Sequence, residues 1–186
     1  MVGAKPVGWS LACAVGEYAK LSVDYVGKTT GTATALATAT YAANLNLFTF
    51  LHGSISVNGT PIASANSVTF TCAKNLRDDR HVLGSRFILE PLEDEHWEYT
   101  SEVTADFDNM ALYNLAAAGT QVASVLSFTA APDSLVITTS GQVVGDAPQL
   151  TKIGLEEQTI KLDHSSATTD AAAVTAVLTN TDVTAA

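Results

Sequence analysis

The residues best equipped for chemistry in this chain are its histidines, its cysteines and a run of acids, and their spacing argues against most uses of them. His52, His81, His96 and His164 form no pair at the three-to-five spacing common among metal ligands, and neither Cys13 nor Cys72 lies near enough to complete such a set. Structural or solvent-facing histidines are the expectation. Glu90, Glu93, Asp94, Glu95, Glu98 and Glu102 concentrate negative charge, but they lack the alternating Asp/Asn pattern and the central glycine of an EF-hand loop. They read as a solvated or interface-facing acidic surface. Gly84-Ser85 lacks the G-x-S-x-G frame that holds a nucleophilic serine on a sharp turn, and no glycine-rich phosphate loop is present. The sequence therefore nominates no catalytic, metal or cofactor-binding residue, no cofactor and no enzyme.

One charge arrangement stands out. The arginines Arg77, Arg80 and Arg86 fall together, and the acids Glu93, Asp94 and Glu95 follow directly. Two readings remain open. The first is a pair of solvated loops with internal salt bridges, which contribute little when exposed. The second is head-to-tail association, in which the basic patch of one subunit meets the acidic patch of the next and the heterologous contact closes into a ring. These six residues are the candidate subunit-interface set.

Composition narrows the class. A chain of 186 residues is long enough for one good core, burying about 70% of its unfolded surface, and a single domain over residues 1–186 is expected. Hydrophobic residues make up 47% and charged residues 15%, with a mean hydropathy of +0.20, which argues against disorder and for some apolar surface covered by partner subunits. The formal net charge of -10 repels phosphate, so stable nucleic-acid binding is not expected. Cys13 and Cys72 sit in strand-like apolar runs and read as buried free thiols. No run reaches the roughly 18 apolar residues of a membrane span, and neither a signal peptide nor an anchor is read.

The elements that position these residues show a dominant period of two. Trp97, Tyr99, Val103, Ala105 and Phe107 alternate with Glu98, Thr100, Glu102, Thr104 and Asp106, giving a half-buried strand with an acidic outer face. Trp9, Leu11, Cys13 and Val15 share one face of a first strand, Gly16 marks a turn, and Leu21, Val23 and Tyr25 alternate along a second. Ile55 and Val57 lead into Asn58-Gly59, the dipeptide best suited to a type I′ hairpin turn. Val68, Phe70 and Cys72 mark another strand, and Phe87 and Leu89 are read as beginning the next. Val122 to Phe128, Leu135 to Thr139, Glu156 to Leu162 and Val174 to Leu178 complete the set. One helix is expected, capped by Asp106 or Asp108, with Ala111, Leu112 and Leu115 on a face and Gly119 ending it. The Thr/Ala-rich stretch 28–46 reads as a long loop or extended hairpin, and His164 to Ala173 as a shorter loop. The pattern predicts a mainly β fold: an antiparallel β-sandwich or barrel with one flanking α-helix.

Four blocks in order along the chain carry a resemblance. GWSLACAVGEYAKLSVDYVGK (Gly8 to Lys28), NLRDDRHVLGSRFILEPL (Asn75 to Leu92), DFDNMALYNL (Asp106 to Leu115), and Leu155 to Asp182, with LEEQTIKLDHSS and VTAVLTNTD, resemble the tail tube (major tail) proteins of long-tailed phages. The resemblance implies a β-sandwich with a flanking helix that assembles as a hexameric ring, rings stacking into a tube that conveys DNA from capsid to host. It also implies that the 28–46 loop reaches toward the adjacent ring, and that the terminator, tape measure and distal tail proteins are further partners. DNA would pass transiently through the lumen, and a protein made in the host cytoplasm would end in the virion tail. The sequence departs from many family members by opening almost directly on the first strand. Two alternatives stay open: a tube subunit of a contractile tail or type VI secretion-like device, and a β-sandwich decoration or carbohydrate-binding module using Trp9, Trp97 and Tyr99.

Overall fold

Alternating side chains and well-placed turns give a chain dominated by antiparallel strands. The computed structural model describes residues 4–28, 38, 46–85, 87–106, 111–144, 157–164 and 173–180. The strands are β1 (Lys5–Ala14), β2 (Lys20–Val26), β3 (Gly53–Val57), β4 (Thr60–Pro61), β5 (Ala65–Arg77), β6 (Leu92–Asp106), β7 (Gln121–Ala130), β8 (Asp133–Val144), β9 (Glu157–His164) and β10 (Val174–Thr179). They form one sheet in the order β2-β1-β5-β6-β9-β8-β7-β3-β4, with β10 paired to β8.

The sheet folds back on itself rather than closing, so the architecture is sandwich-like and not a sealed barrel. Buried side chains from both halves meet between the layers: Leu11, Cys13, Phe70 and Val103 from β1, β5 and β6, with Ile55, Val57, Leu126 and Phe128 from β3 and β7. Phe70 is the hub. Its ring stacks on Trp9 at 5.2 Å and on His164 at 5.6 Å, and lies 6.5 Å from Tyr99. Offset and tilted ring contacts of this kind add to the hydrophobic gain of burial.

β8 has a divided neighbour. Asp133–Gln142 pairs with β7, whereas its other edge pairs with β10 over Ser134–Thr139 and with β9 over Gly141–Val144. Gly141 lies where the two partners change over. A Cβ there would sit 2.7 Å from His164 Nδ1 and closer still to the Asp163 carbonyl oxygen, so only glycine lets β9 approach.

The hairpin read at Asn58-Gly59 is present, with φ of 51° and 73°, the double positive-φ signature of a type I′ turn. The helix α1 spans Ala111–Ala118 and is closed by Gly119, whose N–H donates to Ala116 O at 3.1 Å. Leu115 packs against the core, while Asp108 lies outside the described residues. Four readings need adjusting: His164 ends β9 instead of opening a loop, and Asp106 ends β6, five residues short of α1, instead of capping the helix. Phe87 and Leu89 belong to the irregular connection between β5 and β6, because Leu89 N–H bonds Arg80 O within that connection and β6 begins only at Leu92. Val15 is in the turn after β1 and exposed. Of the 28–46 stretch only residues 28, 38 and 46 are described, and residues 165–172 lie outside the described set.

Candidate assembly surface

The long β5–β6 pair carries the charged candidates to one end of the molecule. Its register runs from Ala65↔Ala105 to Arg77↔Leu92, with a bulge between Lys74 and Leu76. Beyond it, Arg77 Nε donates to Asp79 Oδ1 at 3.2 Å and Arg80 Nη1 donates to the Glu90 carbonyl oxygen at 3.1 Å. Lys5, at the start of β1, reaches Glu90 Oε1 at 3.0 Å and Pro91 O at 2.9 Å. Lys74 is nearly buried, pairs with the more exposed Glu93, and lies 4.5 Å over the Trp97 ring. The structure thus brings Arg77, Arg80 and Glu93 onto one hairpin end, where basic and acidic groups stand side by side. Asp94 and Glu95 continue along β6, and Arg86 lies outside the described residues.

Apolar surface left bare is the feature that sequence reading located without explaining. Among the described residues β2 pairs only with β1, and both of its faces are exposed: Leu21 is 64% and Tyr25 58% exposed. The register Leu11↔Leu21 and Trp9↔Val23 places the β2 side chains on the same face as core residues of β1. The core face therefore continues past the point where the opposite layer covers it. β10 repeats the situation, with Val177 and Leu178 exposed and β8 as its only partner among the described residues. An unpaired strand edge offers a row of free N–H and C=O groups to another chain.

The outward face of the central strands is different in kind. Cross-strand rows run Thr69–Glu102–Lys161 and Thr71–Thr100–Asp163, with Glu98 beside Ala73. Short hydroxyl side chains and carboxylates dominate, and Lys161 approaches Glu102 at 3.7 Å.

The two cysteines and His164 are used for packing. Among the described residues no cluster of three or more His, Cys, Asp or Glu could hold a metal ion. Cys13 and Cys72 are free and buried, and burial pushes both thiols up from their ordinary value. His164 is buried at the end of β9, with Nε2 2.9 Å from Ser101 Oγ and Nδ1 without a partner. Burial lowers its pKa from 6.5 to about 4, partly opposed by the neighbouring Asp163 carboxylate. Trp9 and Trp97 are half-buried against Phe70 and Tyr99.

An antiparallel sandwich whose cysteines and His164 are committed to packing, and whose edge strands expose apolar side chains, has the makeup of a structural subunit. The chain belongs to the phage tail tube protein family, whose sequence profile matches residues 1–185. It is thus a structural protein of the virion tail. No curated protein matches it.

Proposed function

We propose that this protein is a tail tube subunit that self-assembles into hexameric rings, and that the rings stack into the conduit through which DNA passes to the host. The observation carrying this reading is the pair of apolar strands β2 and β10, each with one strand neighbour among the described residues: joining edges between subunits would satisfy their outer backbone groups and cover Leu21, Val23, Tyr25, Val177 and Leu178. Ring neighbours sit at equal height, so a charge contact between them needs both patches at one level. Arg77 and Glu93 share the base of a hairpin end, which suits such a contact, while Arg80 lies farther toward the tip; Arg86, Asp94 and Glu95 lie near them in sequence.

The outward face of β5, β6 and β9 is the surface best suited to the lumen, because its carboxylates repel phosphate and its threonines give DNA no firm hold. DNA then passes without stable binding, and the subunit needs no cofactor and performs no catalysis. Terminator, tape measure and distal tail proteins would meet the tube at its ends, after synthesis in the host cytoplasm. Negative-stain electron microscopy of the concentrated protein tests the reading. Rings or hollow tubes with a DNA-wide lumen support it, and a monomer that persists at every concentration refutes it.

A further inference from the structure

Two apolar features lie at opposite ends of the β5 strand, and neither is used by the edges just described. At one end the β5–β6 connection turns through Leu83-Gly84. Leu83 is wholly exposed and Val82 beside it is 42% exposed. A tip of this kind is normally polar, since an aliphatic side chain held in water forgoes about 1.5–3 kcal/mol that burial would return. At the other end the layers part around a cavity of about 230 Å³, bounded by Cys13, Phe50, Ile55, Val68, Leu126 and Phe128. That is larger than the roughly 150 Å³ apolar cavity that admits a benzene molecule.

The separation follows from the strands. Val68 borders the cavity and Arg77 precedes the tip, which puts roughly 30 Å of extended chain between them at about 3.3 Å per residue. β1 agrees: Cys13, near its end, lines the cavity, and Lys5, at its start, is bound to Glu90 and Pro91 at the tip end. Knob and hole on opposite ends of one molecule cannot meet within it, nor in a symmetric pair built on the knob alone. They meet when copies are placed end to end, the heterologous arrangement that propagates without closing.

Charge favours the same pairing. Asn66 lines the cavity and donates to Asp106 Oδ1 at 3.3 Å and to Glu157 Oε1 at 3.4 Å, so two carboxylates flank the hole. Arg80 stands two residues before Val82 at the neck of the knob and brings a positive charge there, its Nη1 donating to the Glu90 carbonyl oxygen.

We propose that the occupant of the cavity is a second copy of this chain: Val82 and Leu83 of one subunit enter the hole between β1, β3, β5 and β7 of the next, and this contact joins ring to ring. The inference rests on the tube reading. It assigns the β2 and β10 edges to growth around the ring, and the knob and hole to growth along the axis.

Two single variants of the full chain, one on each side of the contact, test it alongside wild type. Leu83→Asp puts a carboxylate on the knob, and because Leu83 is wholly exposed its melting temperature should match wild type. Ala63→Trp, at an exposed position on the rim, blocks the hole while leaving Leu83 intact. Negative-stain microscopy and sedimentation velocity are expected to show rings of wild-type diameter in both, with mean tube length reduced more than tenfold. Tubes of normal length from either folded variant overturn the proposal, as does loss of rings, which would place these surfaces within the ring. A wild-type protein that forms neither rings nor tubes defeats the tube reading, and this inference with it, whatever the variants do.

Discussion

His164 Nε2 lies 2.9 Å from the hydroxyl of Ser101 while its Nδ1, equally buried, faces the bare Cα of Gly141. The imidazole is wedged between the Phe70 ring and the point where β8 changes partner from β9 to β10. It is held neutral there, and two predictions follow from that contact alone.

The first concerns acid. The folded-state pKa of His164 is lowered to about 4 from 6.5, so the unfolded chain takes up the proton more readily. The histidine contribution to stability is intact above pH 6.5, declines as pH falls toward 4, and is fully lost below that, a span worth about 3 kcal/mol. Phe70, Tyr99, Ser101 and Gly141 face the ring without charge, and Asp163 is the one carboxylate acting on it. Melting temperature should therefore hold between about pH 7.5 and 6.5 and fall from there to about pH 5, and His164→Gln should flatten that fall. An equal slope in the variant would show that other groups set the acid response.

The second concerns the glycine. Gly141→Ala places a methyl group against the Asp163 carbonyl and His164 Nδ1, atoms of a paired strand that cannot swing aside. Overpacking of this kind costs about 2–3 kcal/mol, or roughly 5–10 °C in melting temperature for a chain of this length. A shift under 2 °C would mean that β9 slides away at little cost.

The third concerns the charged hairpin end. Arg77 and Asp79 are both well exposed, so reversing Arg77, Arg80 and Arg86 to Glu together should change stability by no more than about 1 kcal/mol. The same triple variant should lose ring formation, read by sedimentation velocity against wild type at matched concentration. Rings that persist would remove this end from the lateral contact.

Local patterns were the legible part of this fold. Asn58-Gly59 announced its turn because the requirement for positive φ is a property of two adjacent residues. The alternation from Trp97 to Ala105 announced β6 because one covered face imposes a period of two. The same signal misled at Phe87 and Leu89, where two alternating apolar residues lie in a connection tied by the Leu89–Arg80 backbone bond. β8 was visible only as Leu135 to Thr139, since Ser140-Gly141-Gln142 breaks the apolar pattern while β9 supplies pairing from a distant part of the chain.

The surface was less legible than the fold. Leu21, Val23 and Tyr25 advertise a shared face, but periodicity does not report whether an opposing layer reaches far enough to cover it. Burial of His164 depends on the β6–β9 register, which no local spacing encodes. The cavity is bounded by segments spread from Cys13 to Phe128, and Leu83 alone in a polar stretch looks like an ordinary loop residue until its full exposure is seen.

The length of the β5–β6 pair has a mechanical side. These strands run nearly the whole way from the cavity to the Leu83 tip, with a ladder from Ala65↔Ala105 to Arg77↔Leu92 whose hydrogen bonds lie across the strand direction. Tension applied between the two ends loads that ladder in shear, so its bonds must yield together rather than peel apart one at a time. The stacked rings of Trp9, Phe70 and His164 run across that direction, from β1 through β5 to β9, and tie the strands together sideways. A subunit built this way is stiffest along the strand axis and softest at its edges, where β2 and β10 can still adjust to a neighbour.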